Sequence, residues 1–332
     1  MPGGRVRELA KGVALAAVVQ LVLLLAAEAG IRLWYHDVTT TSDNTSWFAR
    51  RWQRDVRSNG LGFREREVGP REAGVGRIAV VGDSFAFGQG IPEEDRFSTR
   101  LEAMLARDAP DRRFEVLNFG FPGANTVDEV KTVRDVVLPA QPDFVLLQWY
   151  LNDVEGRGYA GYPQAWRLIP SDRVSGWLHG HSALYYFART AWKRLQERLG
   201  WVQSYEDFLV QRFEDADSPS SRAADADLRQ LIALCREAGK PLAIALFPTL
   251  GGLERLDFVR DRALAICRET ATPCLDLKPA LLPRKDEPGM RASRLDSHPG
   301  PRANEIAAEE IYAFLEPRWF ATPGAVSERS LR

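Results

Sequence analysis

Short, continuous apolar segments alternate with amphipathic helical patterns along most of the sequence after residue 75. The apolar segments are RIAVVGD, FEVLNFG, DFVLLQWY, PLAIALF and PCLDL. The helical patterns are RFSTRLEAMLARD, TVDEVKTVRDVVL, DADLRQLIALCREAGK, LERLDFVRDRALAICRET and PRANEIAAEEIYAFLEPRW. Strands that are apolar throughout and separated by helices are typical of a parallel sheet covered on both faces. The sequence therefore predicts a doubly wound α/β domain with five parallel strands and right-handed crossovers.

The amino terminus has the pattern of a membrane-inserted segment. Three basic residues, the last of them Lys11, precede an apolar run from residue 12 to residue 27, and Trp34 and Tyr35 follow it. A basic flank, an apolar run and interfacial aromatics predict a transmembrane helix within residues 1–35 whose start faces the cytoplasm. The rest of the chain would then be extracytoplasmic, in the periplasm or on the cell surface.

A cleaved signal peptide is the second interpretation of this segment. Ala27, Glu28 and Ala29 fit a small-x-small cleavage site that follows a basic and then an apolar region. Cleavage would make the protein secreted, whereas retention would make it a single-pass membrane protein. Both interpretations place the remaining residues outside the cytoplasm.

The remaining chain divides by composition. Residues 36–75 are polar and are expected to form a stalk and an ordered lead-in, and residues 76–320 the α/β domain, followed by a flexible tail at 321–332. The alternation stops at about residues 155–221, where aromatic residues gather. Residues 176–201 can form one amphipathic helix. Its apolar positions include Tyr185, Tyr186, Trp192 and Leu195.

This aromatic insertion has two interpretations. It could be a helical insertion packed on the main core, or it could cover the active site and contribute substrate contacts. The sequence does not choose between them.

Charge and cysteine content exclude several classes of function. The formal net charge of the 332 residues is −1, with interspersed signs, so no basic stripe for nucleic acid is expected. The three cysteines have neither zinc-site spacing nor the number that a disulfide scaffold needs, and we expect no metal and no organic cofactor. Cys267 and Cys274 could pair in an oxidising compartment or remain small buried thiols.

Polar residues follow the predicted strands at the points where those strands end. Ser84 follows the first strand, Gly123 the second and Asn152 the third, and Asp296 and His298 precede the last helix. Ligands of open parallel sheets lie at the carboxyl ends of the strands. We therefore expect these five residues to meet at one edge of the sheet.

The five residue types suit acyl transfer. A serine attacks an ester only when a base such as a histidine takes its proton, and an aspartate can orient that histidine. The backbone N–H groups of Ser84 and Gly123 and the Asn152 amide could stabilise the oxyanion that forms. Ser84 could instead lie in a phosphate-binding loop or a simple turn, but GDSFAFGQG lacks the Gly-Lys-Ser/Thr or G-x-G-x-x-G pattern of such loops.

Four sequence blocks resemble those of the SGNH, or GDSL-type, hydrolase family. The blocks are VVGDSFAFGQG, NFGFPGANT, YLND and DSHP, and the similarity covers about residues 77–314. The resemblance implies a flavodoxin-like α/β/α sandwich. It also implies Ser84 as nucleophile and first oxyanion donor, Gly123 rather than Gly120 as second donor and Asn152 as third, with Asp296 and His298 completing a triad.

Two positions depart from the family pattern. Tyr150 stands where the third block usually has glycine, and its ring is expected to narrow the pocket. Asp296 and His298 are two residues apart instead of three, a spacing similar to that of alginate O-acetyltransferase-like members. This spacing keeps acyl transfer to a sugar hydroxyl open as an alternative to hydrolysis.

The sequence as a whole favours a membrane-anchored, extracytoplasmic serine esterase. Its expected substrate is an acyl ester, with acetyl the favoured group, of a cell-envelope glycan or lipid. The alternatives are an O-acetyltransferase with the same triad and a non-catalytic binding module of the envelope. Protein partners cannot be inferred from the residues.

Overall fold

The computed structural model describes residues 3–155 and 165–320. The expected tail at 321–332 and the beginning of the expected insertion, residues 156–164, lie outside these described residues. The α-helices are α1 (Gly3–Trp34), α2 (Ala49–Gln53), α3 (Ser84–Phe87), α4 (Phe97–Asp108), α5 (Thr126–Thr132), α6 (Asp172–His181), α7 (Ala183–Arg198), α8 (Tyr205–Phe213), α9 (Pro219–Glu237), α10 (Asp257–Glu269), α11 (Lys278–Leu281) and α12 (Pro301–Leu315). Short 3₁₀ turns are Glu93–Asp95, Leu151–Glu155, Glu254–Leu256 and Leu282–Arg284, and π turns are Val133–Val137 and Glu316–Phe320.

A five-stranded parallel sheet forms the centre of the α/β domain. Its strands are β1 (Val75–Gly82), β2 (Arg113–Gly120), β3 (Phe144–Trp149), β4 (Leu242–Leu246) and β5 (Cys274–Asp276), in the order β2-β1-β3-β4-β5. In this register Gly82 pairs with Gly120, so β1 and β2 end at the same level. An antiparallel hairpin of β6 (Arg291–Ser293) and β7 (Asp296–Pro299) precedes α12.

Hydrophobic clusters lie on both faces of the sheet. One joins Val81 and Leu147 with residues of α5, α9 and α10, and the other joins Val80 and Leu146 with residues of α4 and α12. Successive strand residues point to opposite faces, so continuous apolar strands need such a cover on both sides. The predicted fold class is confirmed: a three-layer α/β/α sandwich with the 2-1-3-4-5 strand order of flavodoxin-like folds.

The chain forms two compact units. The first comprises Met1–Arg54 and Gln164–Val202, and the second comprises Asp55–Pro163 and Gln203–Arg332. The expected stalk and the expected insertion therefore each contribute to both units. The boundaries drawn from the sequence remain predictions.

The first unit consists of α1, α2, α6 and α7 around the ring of Phe48, which is fully buried. This ring contacts Tyr35, Tyr186 and Phe187 at centroid distances of 6.1, 5.4 and 6.1 Å. In α1, the segment Val6–Trp34 is long and apolar enough to cross a membrane, with a mean hydropathy of 2.3. This helix fits either a membrane anchor or a signal sequence.

Residues 176–201 do not form one helix as the sequence suggested. The chain leaves the helical conformation at Ser182, where φ is −128° and ψ is 122°, and α6 ends and α7 begins there. The Ser182 hydroxyl accepts a hydrogen bond from the Tyr185 N–H at 3.0 Å, so this serine caps α7. Leu195, one of the apolar positions of the expected helix, is 44% exposed.

Cys267 and Cys274 form a disulfide bond that joins the end of α10 to β5. Cys235 is buried and is not disulfide-bonded. Of the two states left open by the sequence, this structure contains the oxidised pair.

Candidate active site

Ser84 lies at the first turn after β1, where the chain changes from strand to helix. Asp83 precedes it as the N-cap of α3, and its carboxylate accepts a hydrogen bond from the Phe85 N–H at 2.8 Å. An aspartate at this position satisfies a backbone donor that the short helix leaves unpaired. The cap thus fixes the turn that presents the Ser84 side chain at the carboxyl edge of the sheet.

Ser84, His298 and Asp296 form a continuous hydrogen-bonded chain. His298 Nε2 lies 2.8 Å from Ser84 Oγ, and His298 Nδ1 lies 2.5 Å from Asp296 Oδ1. Asp296 is 2% exposed and also accepts a hydrogen bond from the His298 backbone N–H at 3.1 Å. In this arrangement Nε2 can take the serine proton while Asp296 holds the imidazole tautomer.

The spacing of two residues between Asp296 and His298 has a simple structural basis. Both residues lie on β7, a short strand of the hairpin that precedes α12. Alternate residues of a strand project from the same face. An aspartate and a histidine two positions apart can therefore meet without a helical turn between them.

Asn152 lies in the 3₁₀ turn after β3 and joins this turn to the loop after β2. Its side-chain amide donates a hydrogen bond to the Ala124 carbonyl at 2.9 Å, which leaves a second amide hydrogen. Gly123, next to Ala124, has φ of +76°, and nothing lies within 4 Å of the position a Cβ would occupy. The structure thus brings the segments of both predicted oxyanion donors together.

Gly120 is the other glycine considered as an oxyanion donor. A Cβ added to it would lie 2.4 Å from the Phe87 nitrogen and 2.7 Å from the Ala86 Cβ. This position requires glycine because α3 packs directly on the end of β2. Packing therefore explains Gly120 without a catalytic role.

Tyr150, the residue that departs from the family pattern, packs beside the serine turn. Its ring lies 4.1 Å from the ring of Phe85, and its hydroxyl lies 3.2 Å from Thr249 Oγ1. Burial raises the pKa of Tyr150 to about 12, so its hydroxyl is neutral at physiological pH. The side chain therefore adds an apolar wall and a neutral hydroxyl next to the residue that follows Ser84.

Buried polar groups surround the turn that contains Asp83 and Ser84. The sequence did not identify them. Gln148, which is fully buried on β3, accepts hydrogen bonds from the Asp83 and Ala86 N–H groups at 3.1 and 3.0 Å. Burial raises the pKa of Asp83 to about 6, against the opposing effects of the Phe85 N–H and of His298. The carboxyl group next to Ser84 therefore keeps its proton to a higher pH than an ordinary aspartate does.

Glu129 on α5 and Asp153 form a buried carboxyl pair beneath Asn152. Burial is the main cause that raises the pKa of each well above its ordinary value, and the negative charge of Asp153 adds to the effect on Glu129. Asp153 accepts the Tyr150 N–H at 2.6 Å, whereas within the described residues no donor reaches either Glu129 oxygen. We infer that Glu129 is protonated and donates a hydrogen bond to Asp153. The Tyr150 N–H donor favours an ionised Asp153, which leaves the proton on Glu129.

Arg64 binds the backbone of the segment that follows Ser84. This side chain is 5% exposed, and its guanidinium donates to the carbonyl oxygens of Phe87, Gly88 and Ile91 at 3.3, 2.8 and 3.0 Å. The planar guanidinium presents several donors in fixed directions, so a single side chain can bind all three carbonyl groups. Arg64 thereby fixes the loop that follows Ser84.

A second buried arginine supports the first. Arg96 donates to the Arg64 carbonyl and lies 3.6 Å from the carboxylate of Glu65, which in turn accepts the Asn118 N–H at 2.9 Å. Asn118 donates from its side chain to the Ala86 carbonyl at 2.7 Å. These contacts link the lead-in segment to β2 and α3.

Local sequence signals identify only some of the buried polar residues around Ser84. Asp83 directly before a helix start is a recognisable N-cap, and that signal was available. Arg64, Glu65 and Glu129 have no local signal, because charged residues are usually solvated and their partners lie far away in sequence. Among the residues that the structure describes, no group of three or more His, Cys, Asp or Glu is arranged to hold a metal ion.

The inferred proton on Glu129 predicts a specific dependence of stability on pH. A carboxyl whose pKa is raised by folding contributes stability at low pH that is lost as the pH rises through the raised pKa. Glu129→Gln supplies a neutral donor at all pH values. As the pH rises above the ordinary glutamate pKa, the wild type should therefore lose stability relative to Glu129→Gln, by up to about 1.4 kcal/mol per pH unit.

Denaturant unfolding of the detergent-solubilised full chain at several pH values measures this difference. Asp128→Asn is the matched control, because Asp128 is the neighbouring carboxylate on α5, is 47% exposed and pairs with Lys131. This control should keep the pH profile of the wild type. Parallel profiles for the wild type and Glu129→Gln would show that Glu129 holds no proton in the folded state.

Comparison with solved structures finds proteins with related descriptions. One is LAE5, an α/β hydrolase from the metagenome of Lake Arreo, Spain, with 16% identity, a TM-score of 0.46 and coverage of 72% of this chain and 94% of that one. Another is a variant of Axe2, an acetyl xylan esterase from Geobacillus stearothermophilus, with 15% identity, a TM-score of 0.47 and the same two coverages, 72% and 94%. No curated protein matches the chain.

A family model provides the decisive match. The model of the GDSL-like lipase/acylhydrolase family matches residues 80–306, which include Ser84, Asn152 and His298. This range covers more than half of the chain and agrees with the family suggested by the four sequence blocks. The chain belongs to the GDSL-like lipase/acylhydrolase family and is an ester-hydrolysing enzyme.

Proposed function

We propose that the protein is a serine esterase that removes an acyl group, most simply acetyl, from a glycan or lipid of the cell envelope. The observation that carries this proposal is the chain of hydrogen bonds from Ser84 through His298 to Asp296, at 2.8 and 2.5 Å. Family membership supports ester hydrolysis. The membrane-compatible α1 and the Cys267–Cys274 disulfide support an envelope substrate.

In the first half-reaction His298 Nε2 takes the proton of Ser84, and Oγ attacks the ester carbonyl carbon. The carbonyl π electrons move to oxygen, and the resulting oxyanion is bound by the Ser84 and Gly123 N–H groups and by the second amide hydrogen of Asn152. The intermediate then collapses, the C–O bond to the alcohol breaks, and imidazolium returns its proton to the leaving alkoxide. The products are a free alcohol and acyl-Ser84.

In the second half-reaction water replaces the alcohol. His298 takes a proton from water, hydroxide attacks the acyl carbonyl, and the same donors bind the second oxyanion. Collapse releases the carboxylic acid and restores Ser84 with the proton from His298. Asp296 remains ionised and stabilises imidazolium in both halves.

Tyr150 supports a small acyl group. Its ring and that of Phe85 lie 4.1 Å apart, and the Phe85 ring lies 5.4 Å from that of His298. Aromatic side chains this close to the base reduce the space near the proposed acyl position. A short acyl group such as acetyl suits such a site.

We also propose that α1 is a retained anchor with the enzyme outside the cytoplasm. Glu28, in the candidate cleavage sequence, accepts hydrogen bonds from Ala183 and Leu184, and Arg32 donates to the His181 carbonyl. Cleavage next to residue 29 would remove Glu28 from a folded contact. The basic residues before the apolar run and the disulfide both favour an extracytoplasmic enzyme.

An O-acetyltransferase is the second candidate, and the two-residue spacing of Asp296 and His298 keeps it open. The two activities share the acyl-serine and differ only in whether water or a sugar hydroxyl attacks it. The intact hydrogen-bonded triad disfavours a non-catalytic binding module, because such a module has no need of these contacts.

Ser84→Ala tests the proposed mechanism. Removal of the nucleophile should lower kcat for p-nitrophenyl acetate by about a thousandfold or more, with the fold retained. Ser58→Ala, at an exposed position, is the control and should match the wild type. Wild-type turnover by Ser84→Ala would exclude the acyl-serine mechanism.

The fate of the acyl group separates the two candidate activities. With radiolabelled acetyl donor and added oligosaccharide, an esterase should release label as acetate, since water is the acceptor. Mass spectrometry and counting of both products give the partition. Predominant labelling of the oligosaccharide would replace the esterase proposal with the transferase.

Arg64→Met tests whether the lead-in segment positions the nucleophile. Loss of the guanidinium removes its hydrogen bonds to three carbonyl groups, so we expect a loss of about 1.5–3 kcal/mol in stability. A displaced serine turn should also lower kcat by about ten- to hundredfold with little change in KM.

The control for Arg64→Met is Arg66→Met. Arg66 is two residues away, its side chain is 45% exposed, and it pairs with Glu102 at 2.8 Å. This variant should keep the wild-type kcat. If Arg64→Met is fully folded at the assay temperature and has wild-type kcat, Arg64 does not position Ser84.

A further inference from the structure

Two charged residues of α1, Lys11 and Arg32, are separated by about the thickness of the bilayer core. At the α-helical rise of about 1.5 Å per residue, Lys11 and Arg32 lie about 32 Å apart, and the hydrocarbon core is about 30 Å thick. This step rests on the proposed membrane anchoring of α1. With Lys11 at the cytoplasmic boundary, Arg32 lies at the outer boundary and Glu28 lies one turn inside it.

Glu28 is bound by the turn between α6 and α7. Its carboxylate accepts hydrogen bonds from the Ser182 hydroxyl at 2.8 Å and from the Ala183 and Leu184 N–H groups at 3.0 and 2.8 Å. Arg32 donates to it at 2.6 Å. A carboxylate at the edge of hydrocarbon requires such partners, and the amino end of α7 supplies them. The turn between α6 and α7 therefore lies at the level of the outer boundary.

The direction of α7 follows from a second contact with α1. The ring of Tyr35, the residue directly after α1, lies 4.9 Å from the ring of Phe187 on α7. Starting from the Glu28 contact, α1 and α7 therefore run parallel to each other. α6 runs antiparallel to α7, because Ser175 on α6 and Tyr185 on α7 are hydrogen-bonded at 2.8 Å. The α6–α7 turn is thus the membrane end of this pair, and Trp201, after the far end of α7, lies away from the membrane.

Three tryptophans from separate segments gather at the outer end of α1. Trp34 and Trp177 are 71% and 59% exposed, and the Arg32 guanidinium lies 4.5 Å above the ring of Trp47. Trp177 stacks on His181 at 4.6 Å, and the His181 carbonyl accepts a hydrogen bond from Arg32 at 2.8 Å. We call these three residues, Trp34, Trp47 and Trp177, the tryptophan collar.

We propose that the tryptophan collar and the α6–α7 turn lie in the headgroup region of the bilayer, so that Trp47, Trp177 and this turn form a second membrane contact besides α1. Tryptophan prefers this region because its ring is largely apolar and its N–H needs a polar partner. Arg50, within 2.9 Å of His181 Nε2, and Arg32 place positive charge at the level of the lipid phosphates. The ligand of this surface is the phospholipid interface.

Site-specific fluorescence quenching in lipid nanodiscs tests the collar. A cysteine introduced at an exposed position is the reactive thiol to label, because Cys267 and Cys274 are bonded and Cys235 is buried. The variants are Trp177→Cys in the collar, Trp201→Cys at the far end of α7 and Leu21→Cys within α1. Each full-length variant is labelled with nitrobenzoxadiazole in phosphatidylcholine nanodiscs that contain lipids spin-labelled near the headgroup. A wild-type far-UV circular dichroism spectrum and a wild-type elution volume confirm the fold of each variant.

The label at position 177 should be quenched at least about threefold more than the label at position 201, since interfacial side chains enter the bilayer by about 5–10 Å. The label at position 21 should be quenched by lipids that carry the spin label deep in the acyl chain. Deep quenching at 21 with no quenching at 177 would overturn the collar and leave the anchor intact. Equal quenching at 177 and 201 would also overturn it, whereas absence of quenching at 21 would overturn the anchoring on which it rests.

Discussion

Parallel pairing of β2, β1 and β3 is the constraint on which the site depends. In a parallel sheet the carboxyl ends of all strands lie at the same edge. The turns that follow β1, β2 and β3 must therefore meet there. The pairing of Gly82 with Gly120 brings α3 against β2 so closely that glycine is required at position 120. Ser84 is thereby fixed relative to the segments of Gly123 and Asn152.

The alternation of apolar segments and helical patterns was sufficient to predict the strands and the α/β/α layers. Continuous apolar strands leave few other ways to bury both faces. The sequence also identified the residues that meet in the hydrogen-bonded triad, because their order along the chain follows the strand ends. Their catalytic roles are a proposal.

Features that depend on distant partners could not be predicted. The interactions of Arg64 with three backbone carbonyl groups, and the contact of Glu129 with Asp153, exist only after the sheet has formed. The break at Ser182 was missed because residues 176–201 keep a helical apolar pattern across it. Its cause is the serine cap together with Glu28, which is 154 residues away in sequence and binds the amino end of α7. Hydrophobic periodicity contains no information about such a contact.

The buried carboxyl groups around Asn152 raise an electrostatic problem that protonation solves. Asp83, Glu129 and Asp153 are all buried near the position where the proposed reaction develops a negative oxyanion. Three ionised carboxylates there would oppose that charge, because buried charges are weakly screened.

Burial raises the pKa of all three groups, to about 6 for Asp83 and well above the ordinary value for Glu129 and Asp153. A proton held by Glu129 removes one charge and leaves Asp153 to accept the Tyr150 N–H that shapes the Asn152 turn. The same burial that fixes the oxyanion donors in place thus also limits the negative charge that would weaken them.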